Sequence, residues 1–325
     1  MNSPMTAHEL DDTAHHPAGP RRKDKLLAVA RLLLFAVVMA AVLIAIDFLI
    51  GKAPVAGALL KSASAGILDP RLLWIVDSAG FSATLLVCAV AAHWERCSIG
   101  AYGLSIKGEW LKSLVLGMLL GLTLAFADIG LTWLLGGYSF GQFALSAWHA
   151  LGYGLAWGVG FLLAGLFEEY LYRGYALFTL SRATGFWPAA LLLAVIFAAL
   201  HLLNHGESIY GALDVAIYAL FASLTLRRKG SLWFAIGLHS SWDFSLTFLY
   251  SVSGSGMNAQ NVLLHSHLLG RTWLTGGSAG PEGSAIGMGV LLVAFAACAR
   301  WMPTTATRRE SFGAGRTGLV PEKMP

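Results

Sequence analysis

The sequence predicts an all-α protein, a polytopic membrane bundle of about eight transmembrane helices. Of its 325 residues, 56% are hydrophobic and only 12% are charged, whereas soluble domains carry about 25% charged residues. The charged residues are also unevenly distributed. Several runs of about 20 residues contain almost none, and a run of that length can cross the hydrocarbon core as a helix.

Eight apolar segments account for the predicted helices. In chain order they cover residues 26–50, 72–93, 111–136, 149–180, 187–203, 209–227, 231–250 and 284–301. The first is longer than the apolar core of a secretory signal peptide, so we expect it to be a retained spanning helix. The Gly- and Ser-rich stretch 251–283 is predicted to be a long loop.

Three parts follow from this division of the chain. Residues 1–25 are predicted to be a disordered polar tail, because they contain no long apolar run. Residues 26–302 form the transmembrane bundle, and residues 303–325 form a second polar tail.

The distribution of Lys and Arg predicts how the bundle is oriented. With a cytoplasmic N-terminus, sixteen of these residues fall on the cytoplasmic side, and only Lys52, Lys61, Arg71 and Arg271 fall outside. Cytoplasmic loops carry an excess of Lys and Arg, so both termini are expected in the cytoplasm, with the bundle in the inner cell membrane.

The net charge and the cysteines argue against two other classes of function. The charge of +4 is explained by membrane topology, and no nucleic-acid partner is expected. Cys88, Cys97 and Cys298 lack the close spacing of a redox pair or a cysteine-based metal site. The expected partners are the lipid bilayer and a peptide or protein substrate.

Ionisable residues inside the predicted spans are the strongest functional signal, because each costs at least about 2.5–3.5 kcal/mol at a helix centre. In the fourth segment, Glu169 and Arg173 are four residues apart and can pair on one helix face. Glu168 points about 100° away from that face, which leaves its carboxylate available for proton transfer.

Two further segments add imidazoles. His201 lies in the fifth segment, and His239 lies four residues before Asp243 in the seventh. Asp243 can orient the imidazole or help to bind a metal or substrate. At 1.5 Å per residue, Glu168 and His201 lie about 21 Å from the cytoplasmic helix ends and His239 about 15 Å, so the three groups are expected to converge.

These residues form three motifs that resemble the CPBP family of intramembrane proteases. The family includes type II CAAX prenyl endopeptidases and Abi-type bacteriocin-immunity proteins. The motifs are Glu-Glu-x-x-x-Arg, Phe-x-x-x-His and His-x-x-x-Asn/Asp, carried here by Glu168, Glu169, Arg173, Phe197, His201, His239 and Asp243. The resemblance extends over roughly 90–300 and includes the glycine-rich stretch 275–283. Many members carry Asn where this chain has Asp243.

The resemblance implies an endopeptidase that acts on membrane-associated or prenylated-type peptides. Glu168 and His201 would activate a water molecule, and His239 and Asp243 would face the oxyanion. Glu169, Arg173 and Phe197 would support the site. A second version places a divalent metal such as zinc on Glu168, His201 and His239. No cofactor is required by the first version, which we favour.

Two other kinds of function remain open. Buried Glu, His and Asp residues also form proton relays in transporters, so a proton-coupled transporter is one alternative. A non-catalytic scaffold or immunity protein is another. Asp77 and Asp128 are assigned to helix ends or to interhelical contacts, and Asp214 lacks the Gly-x-Gly-Asp pattern of presenilin-like proteases.

Overall fold

The computed structural model describes residues 22–303, and helices account for most of them. The helices are α1 (Arg22–Lys52), α2 (Pro54–Ser64), α3 (Pro70–Glu95), α4 (Trp110–Leu134), α5 (Ala147–Leu171), α6 (Leu177–Thr184), α7 (Phe186–His201), α8 (Ile209–Lys229), α9 (Trp233–Phe244), α10 (Thr272–Thr275) and α11 (Ala285–Trp301). The predicted all-α class is confirmed. The predicted tails lie outside the described residues, apart from residues 22–25, which begin α1, and residue 303.

Each of the eight predicted apolar segments contains a helix. Five are long and apolar enough to cross a membrane: α1, α3, α4, α8 and the continuous stretch Ala147–Thr184, which combines α5 and α6. The apolar helices α7 and α11 are shorter, and α9 is continued by a π-helical turn, Ser245–Leu249. The total of eight spans stays a prediction. The sequence did not predict α2.

Glycines bring α4 and α9 into backbone contact, and α9 carries His239. A Cβ atom at Gly237 would collide with the carbonyl oxygen of Leu114, and one at Gly117 would collide with that of Phe234. Small residues permit this close approach between helices in membranes, where packing rather than hydrophobic exclusion drives association. The seventh predicted span is therefore held rigidly against the third.

The buried core surrounds this helix pair. One cluster includes Tyr170, Leu177 and Ile236, where α5, α6 and α9 meet. A second includes Leu124 and Leu238, contributed by α4 and α9. The large apolar side chains on the outer faces of the long helices are exposed, as expected for surfaces that meet lipid.

The predicted loop 251–283 folds back over the end of the bundle where α7 ends and α8 begins. Short strands tie it down: β1 (Ile67–Leu68) pairs with β3 (Asn258–Ala259), and β2 (Tyr138–Ser139) pairs with β4 (His267–Leu268). Gly280, with φ of +84°, lets the chain turn tightly against residue 253, because glycine adopts positive φ without strain. The next residues then reach the bundle interior.

Candidate active site

The predicted site residues lie beside two interruptions of regular α-helix. One, Tyr172–Ala176, follows Glu168 and Glu169 at the end of α5 and contains a kink at Gly174, whose backbone angles are not helical. The other, the π-helical turn Ser245–Leu249, follows Asp243 near the end of α9. π-helical turns occur often at functional sites.

A buried ion pair forms the base of the site. Arg173 Nη1 donates to Glu169 Oε1 over 2.8 Å, and both side chains are almost inaccessible to solvent. The Arg173 guanidinium lies 4.8 Å from the centre of the Phe197 ring and 5.8 Å from that of Tyr218. The i,i+4 spacing predicted this pair, and Phe197, for which a supporting role is predicted, contacts the Arg173 guanidinium.

His239 is held between carboxylates on both edges of its ring. Its Nδ1 lies 2.9 Å from Glu169 Oε1. Its Nε2 lies 3.3 Å from Asp243 Oδ2 and 3.6 Å from Glu168 Oε2. The contact with Asp243 agrees with the spacing. The contact with Glu169 was not predicted, and it gives the ion pair a second role, which is to orient the imidazole.

Glu168 differs from its neighbour in exposure. Its side chain is 27% exposed, whereas the Glu169 side chain is fully buried. Within residues 22–303 no cation pairs with Glu168 other than His239. The sequence predicted this division between one carboxylate held by arginine and one left available.

His201 enters the site with a defined tautomer. Its Nδ1 donates to the carbonyl oxygen of Phe197 over 2.8 Å. A carbonyl oxygen only accepts, so the proton of the neutral ring is on Nδ1 and Nε2 carries a lone pair. His201 lines the same cavity as His239 and Asp243. No hydrogen bond joins it to Glu168 among the described residues.

The cavity encloses about 460 Å³ of empty space, including its open mouth. It is lined by Leu124, Phe197, His201, Asp214, Val215, Tyr218, Leu238, His239, Trp242, Asp243, Ser255, Glu282 and Leu291. Two imidazoles and three carboxyl groups therefore face one space, together with apolar side chains from five helices.

Glu282 closes one side of this cavity from the folded-back loop. Its Oε1 accepts a hydrogen bond from Trp242 Nε1 over 2.8 Å. Its Oε2 accepts from the backbone N–H and the hydroxyl of Ser255. Burial, reinforced by the nearby charge of Asp243, raises the pKa of Glu282 to about 7. Glu282 thus connects the loop to the helix that carries His239.

Zinc binding by Glu168, His201 and His239 stays a prediction. Within residues 22–303, no group of three or more His, Cys, Asp or Glu side chains is placed to hold a metal. Glu168 and His239 approach each other, whereas His201 reaches the site from another helix with Nδ1 committed to a carbonyl oxygen.

Sequence reasoning missed several residues at the site. Tyr218 donates to Glu169 Oε1 over 3.1 Å, and a tyrosine within an apolar span was the available signal. Asp214 and Glu282 line the cavity. Burying a carboxyl group without a partner costs free energy. Asp77, expected near a helix end or as an interhelical contact, is buried within α3.

Comparison with known proteins gives a match for one part of the chain. No curated protein and no solved structure matches the chain. Residues 150–245 match the family model described as type II CAAX prenyl endopeptidase Rce1-like. This stretch contains Glu168, His201 and His239, so the family match and the polar cluster coincide. The apolar helices and the match together indicate an integral membrane protein, and the segment that carries the candidate site resembles the Rce1-like type II CAAX prenyl endopeptidases, which implies intramembrane endopeptidase activity.

Proposed function

We propose that this protein hydrolyses peptide bonds of membrane-associated peptides with a water molecule activated by Glu168 and His201. The observation that carries the proposal is the position of His239. Its Nδ1 is fixed by Glu169, while its Nε2 faces Glu168 and Asp243, of which Asp243 lines the polar cavity. A general base and a hydrogen-bond donor therefore lie side by side, as amide hydrolysis requires.

In the first step, water attacks the carbonyl carbon of the substrate and its proton passes to the Glu168 carboxylate. The partly exposed Glu168 is accessible to water, unlike the fully buried Glu169. The lone pair on His201 Nε2 can accept a hydrogen bond from the same water. General-base assistance of this kind contributes about 10²–10⁴ in rate.

In the second step, the tetrahedral intermediate collapses, the carbon–nitrogen bond breaks and the amine leaves with the proton held by Glu168. His239 donates a hydrogen bond to the oxyanion from Nε2. Asp243, 3.3 Å from that nitrogen, helps to orient the ring. Removing one such donor typically costs about 10²–10³ in kcat.

The substrate class follows from the family match and the position of the site. The matching family is described by its action on CAAX prenyl proteins, so a prenylated CAAX-type peptide is the first substrate to test. The wider class is a peptide held at or in the bilayer. We place the protein in the inner cell membrane with both termini in the cytoplasm.

A zinc-dependent version remains the alternative mechanism, with Glu168, His201 and His239 as ligands. The two versions differ in their response to chelation. Activity that survives prolonged dialysis against a chelator supports the metal-free version. Activity that is lost on dialysis and restored by zinc supports the other.

The deciding experiment is cleavage of a membrane-peptide library by purified protein in liposomes. Glu168→Gln and His201→Ala should each lower kcat/KM by at least about 100-fold while the protein stays folded. Glu109→Gln is the matched control, because that glutamate is exposed and pairs with Lys112. Full activity in Glu168→Gln would remove the assignment.

A transporter is the second candidate, because Asp214 and Asp128 are buried carboxylates close to the cavity. Such residues relay protons in membrane pumps. A proton-flux assay in liposomes without peptide discriminates between the two functions. A scaffold or immunity role predicts that Glu168→Ala keeps its biological effect.

A further inference from the structure

The far wall of the cavity carries carboxyl groups that the proposed reaction does not use. Asp214 from α8 and Glu282 from the folded-back loop both line the cavity. Asp128 from α4 and Glu207, which precedes α8, act electrostatically on Asp214. Four carboxyl groups from four separate parts of the chain therefore lie at or near this wall.

Asp214 is the most informative of these groups. Its side chain is buried, with the residue only 3% exposed, and its Oδ1 has no hydrogen-bond partner among the described residues. The charged groups that act on it are Glu282, Asp128 and Glu207, all of them acidic. Buried polar groups are normally satisfied, so a cavity-lining carboxylate without a partner indicates a missing ligand.

Basic side chains are scarce around these carboxyl groups. Within residues 22–303, neither Lys nor Arg lines the cavity, and the basic groups among its lining residues are His201 and His239. His239 is already committed to Glu169, Asp243 and Glu168. An uncompensated carboxylate in a poorly solvated space is costly, and an incoming cation relieves that cost.

The geometry favours an extended organic cation over a metal ion. A metal needs several ligands at about 2.0–2.6 Å, and no described group of three acidic, His or Cys side chains meets this need. Lysine and arginine instead offer three and five N–H donors on a flexible stem. Leu124, Val215 and Leu291 also line the cavity and can pack against such a stem.

We propose that this carboxylate-lined end of the cavity binds a lysine or arginine side chain of the peptide substrate. The protein then cleaves peptides that carry a basic residue close to the scissile bond. This inference rests on the proposed endopeptidase function, and it assigns Asp214 and Glu282 to substrate specificity rather than to the chemical step.

The test compares peptides that are identical except at one position near the scissile bond, scanned in turn as lysine, norleucine or glutamate. The full-length protein in liposomes should cleave the lysine peptide with a kcat/KM about tenfold or more above that of the norleucine peptide, as expected for charge-assisted hydrogen bonds. Asp214→Asn should reduce this ratio to about threefold or less, chiefly by lowering kcat/KM for the lysine peptide. Asp47→Asn, at an exposed site on α1, should keep the full ratio.

Binding separates failure of this inference from failure of the proposed function. Fluorescent lysine and norleucine peptides are titrated against Glu168→Gln, with and without Asp214→Asn. Lysine-selective binding without any cleavage in the wild type would support the pocket and remove the protease. Cleavage that depends on Glu168 but has no basic preference would keep the protease and overturn the pocket. In a last experiment, choline replaces sodium in the buffer. Cleavage of the norleucine peptide that depends on sodium would assign the pocket to an inorganic cation and overturn the inference.

Discussion

Replacing Glu169 with glutamine removes the charge on which three donors converge. Glu169 Oε1 accepts hydrogen bonds from Arg173, His239 and Tyr218 over 2.8, 2.9 and 3.1 Å. Hydrogen bonds to charged groups contribute about 1.5–3 kcal/mol, against about 0.5–1.5 for neutral pairs. Three bonds that each lose about 1 kcal/mol give a total loss of roughly 3 kcal/mol, and Arg173 is left as an unpaired buried cation.

The assay is unfolding of the purified protein in detergent, followed by peptide cleavage at a temperature where each variant is folded. We expect Glu169→Gln to lower both the free energy of unfolding and kcat, since the His239 ring loses its fixed orientation. Tyr218→Phe removes a single donor to the charged carboxylate and should cost about 1.5–3 kcal/mol.

A double variant distinguishes charge from packing. Glu169→Gln combined with Arg173→Met removes both charges and should recover part of the stability, because a neutral buried pair of similar volume leaves no isolated charge. Activity should stay low in the double variant. Wild-type stability and kcat in Glu169→Gln alone would refute the idea that this carboxylate organises the site.

Three further predictions follow from other parts of the structure. Gly237→Ala should destabilise the protein because its Cβ would collide with the Leu114 carbonyl oxygen. Gly130 has open space around it, so Gly130→Ala should be neutral or stabilising by up to about 1 kcal/mol. Thermal unfolding of the two variants compares their stabilities. Burial raises the pKa of Glu282 from 4.5 to about 7, so the folded protein holds an extra proton between these values. The free energy of unfolding should therefore fall by up to roughly 3 kcal/mol as the pH rises across that window, and Glu282→Gln should flatten the profile. A reporter enzyme that is active only in the cytoplasm should be active when fused after residue 325, and inactivity there would reverse the predicted orientation.

The spacing of residues along one helix predicted the contacts that form within that helix. Glu169 and Arg173 pair across one turn, and His239 and Asp243 do the same on α9. In both cases the i,i+4 relation determines which side chains share a face. The cost of burying charge in a membrane identified the helices that carry the site.

Contacts between segments that are far apart in the sequence could not be predicted from this spacing. The bond from His239 to Glu169 joins α9 to α5, and Glu282 enters from a loop that was treated only as a connection. Both depend on how the helices pack. The backbone contact between α4 and α9 rests on glycines that carry no polar signal, so only the three-dimensional arrangement reveals it.

The kink at Gly174 also bears on the single overlong span that the sequence suggested at 149–180. Gly174 has non-helical backbone angles, with φ of −78° and ψ of −126°, so α5 and α6 are two helices that meet at a bend. A straight helix over the 38 residues Ala147–Thr184 would be about 57 Å long, roughly twice the thickness of the hydrocarbon core. The bend lets α6 leave the line of α5 and pack on α1 and α7, and a variant that straightened the chain at Gly174 would carry α6 away from both helices.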